Sequence, residues 1–237
     1  MQTHQSFGEL KACARKSLEG NYGRAISIWI NVRILSFIPT YIILLFFSGN
    51  SIFHIISTEI VSVILSSFLQ ILQMGVCFFF LKLNCGQNTS GIDLFYGFGA
   101  STRNTALNIG IVYTLISFIC MLPATLCSYL TDSVVLFYLL YFAGNLLYYL
   151  VMPPFIQAYY ILLDFPGYRA KQALTLSFKI MRGNYFRYLL FSLSFLPLIL
   201  VSLLSCGIGL LWVFPYIESS FAAFYLDLMQ NYKKQNS

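Results

Sequence analysis

Between Ala25 and Met229 the chain is a succession of long apolar runs separated by short polar connections. A run of roughly 18 apolar residues suffices to cross the ~30 Å hydrocarbon core of a bilayer as one helix. Only 9% of the residues are charged and 58% are hydrophobic, against about 25% charged in a soluble domain. Such a chain cannot clothe a soluble surface. A transmembrane β-barrel would need ~10-residue segments of alternating character, and no such alternation is visible. The sequence therefore reads as all-α: a polytopic protein with one membrane domain over 1–237. Six transmembrane helices are expected in three hairpins, at about 25–47, 59–81, 107–130, 134–163, 188–205 and 210–229. The first 24 residues contain no short apolar core with a cleavage site, so the first span is expected to serve as an uncleaved insertion signal.

Between the spans lie segments with one apolar face. Phe7, Leu10, Ala14 and Leu18 share a helical face from which Lys11, Arg15 and Lys16 are excluded. Ala170, Leu174, Ser177, Phe178 and Met181 form a second such face. Both patterns predict amphipathic helices lying in the headgroup layer. Segment 82–106 carries Ile92, Leu94, Phe95, Tyr96 and Phe98 and has the same interfacial flavour. Residues 48–58 read as a short loop.

Basic residues orient the chain. With segments 1–24, 82–106, 164–187 and 230–237 on the cytoplasmic side, thirteen of the 14 Lys and Arg residues fall there. The loops on the other side hold none, as the positive-inside rule requires. Both termini are thus expected to be cytoplasmic, with anionic lipid headgroups as partners of the basic segments.

The fourteenth basic residue, Arg33, lies inside the first span. Starting that span after Arg33 would leave about 21 Å of helix, too little for a ~30 Å core. Glu218 lies inside the sixth span, at a depth within ~6 Å of Arg33 by helical rise. Charge at that depth costs at least ~2.5 kcal/mol on insertion scales, so the two are expected to pair, directly or through water. Gln70 and Gln73 sit near the centre of span two. Tyr138, Tyr141, Asn145 and Tyr148 follow at i, i+3, i+7 and i+10 on one face of span four, a polar stripe that the two glutamines can meet. Together these eight residues form the candidate intramembrane polar site. Pro39, Pro123, Pro153, Pro154, Pro197 and Pro215 lie within spans, and the Pro153-Pro154 pair is expected to kink or break the fourth. Ser219 and Ala223, four apart in span six, suggest close helix packing.

A weak internal repeat runs through the chain. Gly20-Asn21-Tyr22-Gly23-Arg24 opens span one and Gly183-Asn184-Tyr185-Phe186-Arg187 opens span five, while Gly99 and Arg103 place the same Gly-x-x-x-Arg frame before span three. A pseudo-threefold arrangement of hairpins would follow.

The C-terminal half carries distinctive wording. Ala173-Leu174 and Ser177 precede Met181-Arg182-Gly183-Asn184; then come Ser194-Phe195, Gly207-Ile208-Gly209-Leu210-Leu211-Trp212, Pro215-Tyr216 and Ala222-Ala223-Phe224-Tyr225. With the amphipathic start ending in Gly20-Asn21-Tyr22, the chain resembles the bacterial integral-membrane family catalogued as domain of unknown function 975. The resemblance implies a bacterial plasma-membrane protein without an assigned activity, and it supplies no catalytic residues. Members often place a tryptophan soon after the Ser-Phe pair; here Leu196-Pro197 follows.

Catalytic constellations are hard to assemble. The eight carboxylates are scattered, and no HExxH, Walker loop or dinucleotide fingerprint occurs. Six cysteines form no CxxC pair and the two histidines, His4 and His54, lie far from any cysteine cluster, so neither metal nor cofactor is implied. Nucleic acid is not an expected partner either, because the basic residues border spans. The leading expectation is a non-enzymatic scaffold or accessory protein acting through lipid or protein partners. The alternative is a small transporter or carrier using the Arg33–Glu218 level.

Overall fold

The computed structural model describes residues 4–46, 52–99, 102–131 and 133–236. Among them the chain is helical, without a strand: α1 (Phe7–Leu18), α2 (Tyr22–Phe46), α3 (Ile52–Asn84), a 3₁₀ helix (Gly91–Phe98), α4 (Arg103–Leu130), α5 (Val134–Val151), α6 (Pro153–Asp164), α7 (Ala170–Met181), α8 (Tyr185–Leu193), α9 (Leu196–Leu204) and α10 (Leu210–Asn236). The end of the first expected span at Phe47 and the start of the loop at 48–51 lie outside the described residues. The rest of that loop is corrected: Ile52–Thr58 is the first part of α3.

Among the described residues five stretches are long and apolar enough to cross a membrane: Tyr22–Ile43, Ile56–Asn84, Arg103–Leu130, Val134–Asp164 and Tyr185–Leu204. Two of them are broken by proline. Proline removes one bond of the helical ladder, which α2, α4 and α10 tolerate at Pro39, Pro123 and Pro215, and it is favourable in a helix's first turn, where Pro153-Pro154 and Pro197 lie. The fourth stretch therefore divides at Met152 into α5 and α6, and the fifth at Ser194-Phe195 into α8 and α9 ahead of Pro197.

α10 is not among the five. It has the length but carries Glu218, Ser219, Ser220 and Asp227. Protein packing accounts for these polar groups: Ser219, Ser220, Ala222, Phe224 and Tyr225 are fully buried, and α10 packs on α1, α2 and α3. Asn84 donates to both the carbonyl and the hydroxyl of Ser219, and the Ser17 and Ser219 hydroxyls lie 3.0 Å apart. Two small side chains in register let α1 approach closely enough for that bond.

The amphipathic segments are helical, but their apolar faces meet protein. α1, capped by a Ser6–Glu9 capping box, buries Leu10, Ala14 and Leu18 against α10, and Phe7 packs on Phe191 of α8 at 5.3 Å. α7 buries Ala173, Ser177, Ile180 and Met181. Its inner face is thus turned from the expected one, leaving Phe178 half exposed. The Ser177 hydroxyl donates to the Pro154 carbonyl, which lies in the first turn of α6. The 3₁₀ helix lies on α3, with Tyr96 stacked on Phe78 at 3.8 Å. A Cβ on Gly75 would stand 1.8 Å from the Leu94 carbonyl oxygen, so only glycine permits this approach.

Each short element therefore lies on a different long or buried helix: α1 on α10, the 3₁₀ helix on α3, and α7 on α6. The first and last copies of the repeat share their turn in detail. Gly20 and Gly183 take φ of 74° and 86°, the left-handed region that glycine tolerates. Asn21 N–H donates to Leu18 O, and Asn184 N–H to Met181 O. The middle copy departs: Gly99 has φ of −58°.

Candidate functional site

Read along α3, Glu59, Ser62, Ser66, Gln70 and Gln73 recur at helical spacing and form one polar stripe. Two adjoining cavities open onto it. One, of about 260 Å³, is lined by Glu59, Ser62, Ser66 and Gln70 from α3, by Tyr113 and Thr114 from α4, and by Tyr148 from α5. The other, of about 240 Å³, is lined by Arg33, Ser36 and Thr40 from α2 with Ser66, Gln70 and Gln73. Ser66 and Gln70 belong to both, so the pair forms one polar cleft from Glu59 to Arg33.

The helix contact beside the cleft depends on Gly110 of α4. A Cβ there would meet the Gln70 Cβ and the Ser67 carbonyl oxygen, each at 2.9 Å. One turn further along α4, the Thr114 hydroxyl is buried without a hydrogen-bond partner. The same holds for the Tyr159 hydroxyl and both side-chain polar atoms of Gln157 on α6. The Tyr159 oxygen lies 3.5 Å from the position a Gly110 Cβ would take, which sets it beside the same helix contact. Orphaned buried polar atoms cost about 1–3 kcal/mol each, and they mark places built to meet water or a ligand.

Of the eight residues singled out in the sequence, four line this cleft: Arg33, Gln70, Gln73 and Tyr148. The Tyr148 hydroxyl reaches the Tyr113 hydroxyl at 2.5 Å. The tyrosine stripe divides beyond it. Asn145 donates to its own helix at Tyr141 O and to the Met121 sulfur, while Tyr138 and Tyr141 are 63% and 50% exposed. α5 packs mainly on α4, through Gly144, and one line of contact cannot enclose the whole stripe.

Arg33 and Glu218 are electrostatic neighbours: the Arg33 charge reaches Glu218. No ion pair within 4.0 Å joins them. The Arg33 guanidinium instead lies over the Trp29 ring at 5.2 Å, and Trp29 stacks on Phe214 of α10 at 4.8 Å. Glu218 is half-buried, within electrostatic reach of Cys77, Tyr113 and Tyr160, and lines neither cavity. Sequence reasoning missed Glu59, Ser62, Ser66, Tyr113 and Thr114. The spacing of the first three with Gln70 was a usable signal.

A second polar cluster ties both termini together. Asp227 of α10, 3% exposed, pairs with Arg187 of α8 at 2.8 Å. Its carboxylate also accepts from the Gln5 N–H at 3.1 Å and lies 3.3 Å from the His4 ring nitrogen, while Arg187 donates to the Gln5 carbonyl at 2.7 Å. The third copy's arginine thereby fastens the approach to α1. Among the described residues no group of three His, Cys, Asp or Glu side chains could hold a metal ion.

These features belong to a helical protein with five membrane-length stretches among the described residues and a polar cleft between helices. A family model described as "Protein of unknown function (DUF975)" matches residues 1–232, and the chain belongs to that family. No curated protein and no solved structure matches it.

Proposed function

We propose that the chain is a multi-pass protein of a bacterial plasma membrane that binds a small polar solute in the α2–α3–α4 cleft and carries it. On this reading α10 is the sixth crossing and both termini are cytoplasmic. Burial supports the sixth crossing, since a helix enclosed by others need not be apolar all round. The segregation of thirteen basic residues supports the orientation.

The observation that carries the functional reading is the shared lining of the two cavities. A continuous run of polar groups from Glu59 through Ser66 and Gln70 to Arg33 would be costly facing lipid. Cysteine at Ser66, in a variant lacking the six native cysteines, tests it with a charged, water-borne thiol reagent. Labelling of Ser66→Cys but not of Ile64→Cys on the exposed apolar face is expected. Equal inertness of both would remove the cleft's water access and with it the carrier reading.

A scaffold role keeps one specific support. α5 buries only Gly144 and turns Tyr138 and Tyr141 outward, a face that a membrane protein partner can cover.

A further inference from the structure

A separate cavity of about 480 Å³ lies where α1, the start of α2 and the end of α3 meet. Lys16, Glu19, Asn21 and Arg24 line one side, Asn84, Gln87 and Asn88 the other, and Thr89 closes it. The Arg24 guanidinium has one weak bond, to the Thr89 carbonyl oxygen at 3.4 Å, and among the described residues neither it nor the Lys16 ammonium is within 4.0 Å of a carboxylate. Thr89 is 7% exposed, yet its buried hydroxyl has no hydrogen-bond partner. A buried hydroxyl without a partner, beside two cations free of carboxylates and several carboxamides, has the donor chemistry that an oxyanion needs.

We propose that this cavity binds the phosphodiester of a glycerophospholipid. Two cations against the one Glu19 carboxylate leave a single positive charge, which suits a phosphodiester better than a doubly charged phosphate monoester. Arg24 opens the first membrane-length helix, at the level where a headgroup phosphate lies if that helix spans. Further along α2, Ile34, Leu35, Ile38 and Ile42 are exposed, an apolar surface for acyl chains to follow. The site is distinct from the α2–α3–α4 cleft, with which it shares no residue.

Thermal unfolding of the full chain in a neutral detergent tests the proposal with three probes. They are dihexanoyl phosphatidylglycerol, its deacylated headgroup glycerophosphoglycerol, and dihexanoylglycerol, which has chains but no phosphate. The phospholipid is expected to raise the melting temperature of the native chain and not of Lys16→Gln/Arg24→Gln. Lys171→Gln/Arg182→Gln, which removes equal charge elsewhere, keeps the response. Should the double variant not fold, Thr89→Val serves, and the concentration needed for the same rise should increase about fivefold, the worth of one hydrogen bond. A full response to glycerophosphoglycerol would support the phosphodiester site while naming a soluble source. An equal response to dihexanoylglycerol, or an undiminished response in the variants, overturns the proposal.

Discussion

Replacing Asp227 by alanine should release the N-terminal segment from the rest of the bundle. The carboxylate is 3% exposed and is held by Arg187 at 2.8 Å and by the Gln5 N–H at 3.1 Å. Removing one partner of a buried ion pair costs about 3–5 kcal/mol, because the other charge stays buried without compensation. Arg187 keeps 16% of its side-chain exposure and its bond to the Gln5 carbonyl, which places the loss near the lower end, about 3 kcal/mol. For a chain of this size that corresponds to a fall in melting temperature of roughly 6–12 °C. The assay is a double-mutant cycle of Asp227→Ala and Arg187→Ala, read by intrinsic fluorescence during heating in detergent. If the pair acts as described, the double variant should lose little more than the worse single variant. Losses that simply add, to within about 0.5 kcal/mol, would show that the two residues act independently and would refute the reasoning. Hydrogen exchange gives a local check, since amides in the first turns of α1 should lose protection in Asp227→Ala before those of α4.

Two further outcomes follow from the geometry. Gly75→Ala places a methyl 1.8 Å from the Leu94 carbonyl oxygen and should cost about 3 kcal/mol or more in the same melting assay, whereas Gly91→Ala, with nothing within 4 Å, should be silent. A membrane-impermeant maleimide on intact cells should label Cys206 and spare Cys13 and Cys85, all three being exposed thiols; the reverse pattern would invert the proposed orientation, and buried Cys127 should stay unlabelled either way.

Local chemistry was the most legible part of the sequence. The apolar face from Phe7 to Leu18 marked α1, Pro153 marked the break in the fourth stretch, and the repeated Gly-Asn-Tyr wording fell on two turns of the same conformation. Neighbour choice was far less legible. In a soluble helix an apolar face points to the core, but a membrane-length helix is apolar toward lipid and protein alike. The tyrosine stripe of α5 therefore had no visible reason to split between Tyr148 facing α4 and Tyr138 facing outward. The same ambiguity hid the burial of α10, whose low apolarity belongs to a helix ringed by others. Helical rise put Arg33 and Glu218 within a few ångströms in level, and the two are electrostatic neighbours. Rotation about the axis was not readable, and it turns Arg33 toward Trp29 and the cleft rather than into contact with Glu218.

The seat of α1 on α10 sets an order of events during synthesis. α1 is made well before the helix on which it seats. Until α10 arrives, Leu10, Ala14 and Leu18 lack the neighbour that covers them most. A chain that stalls before Leu210 leaves that face, and the Ser17 hydroxyl, unclaimed. Closure of α1 onto Ser219 therefore reports that α10 has been made and has docked.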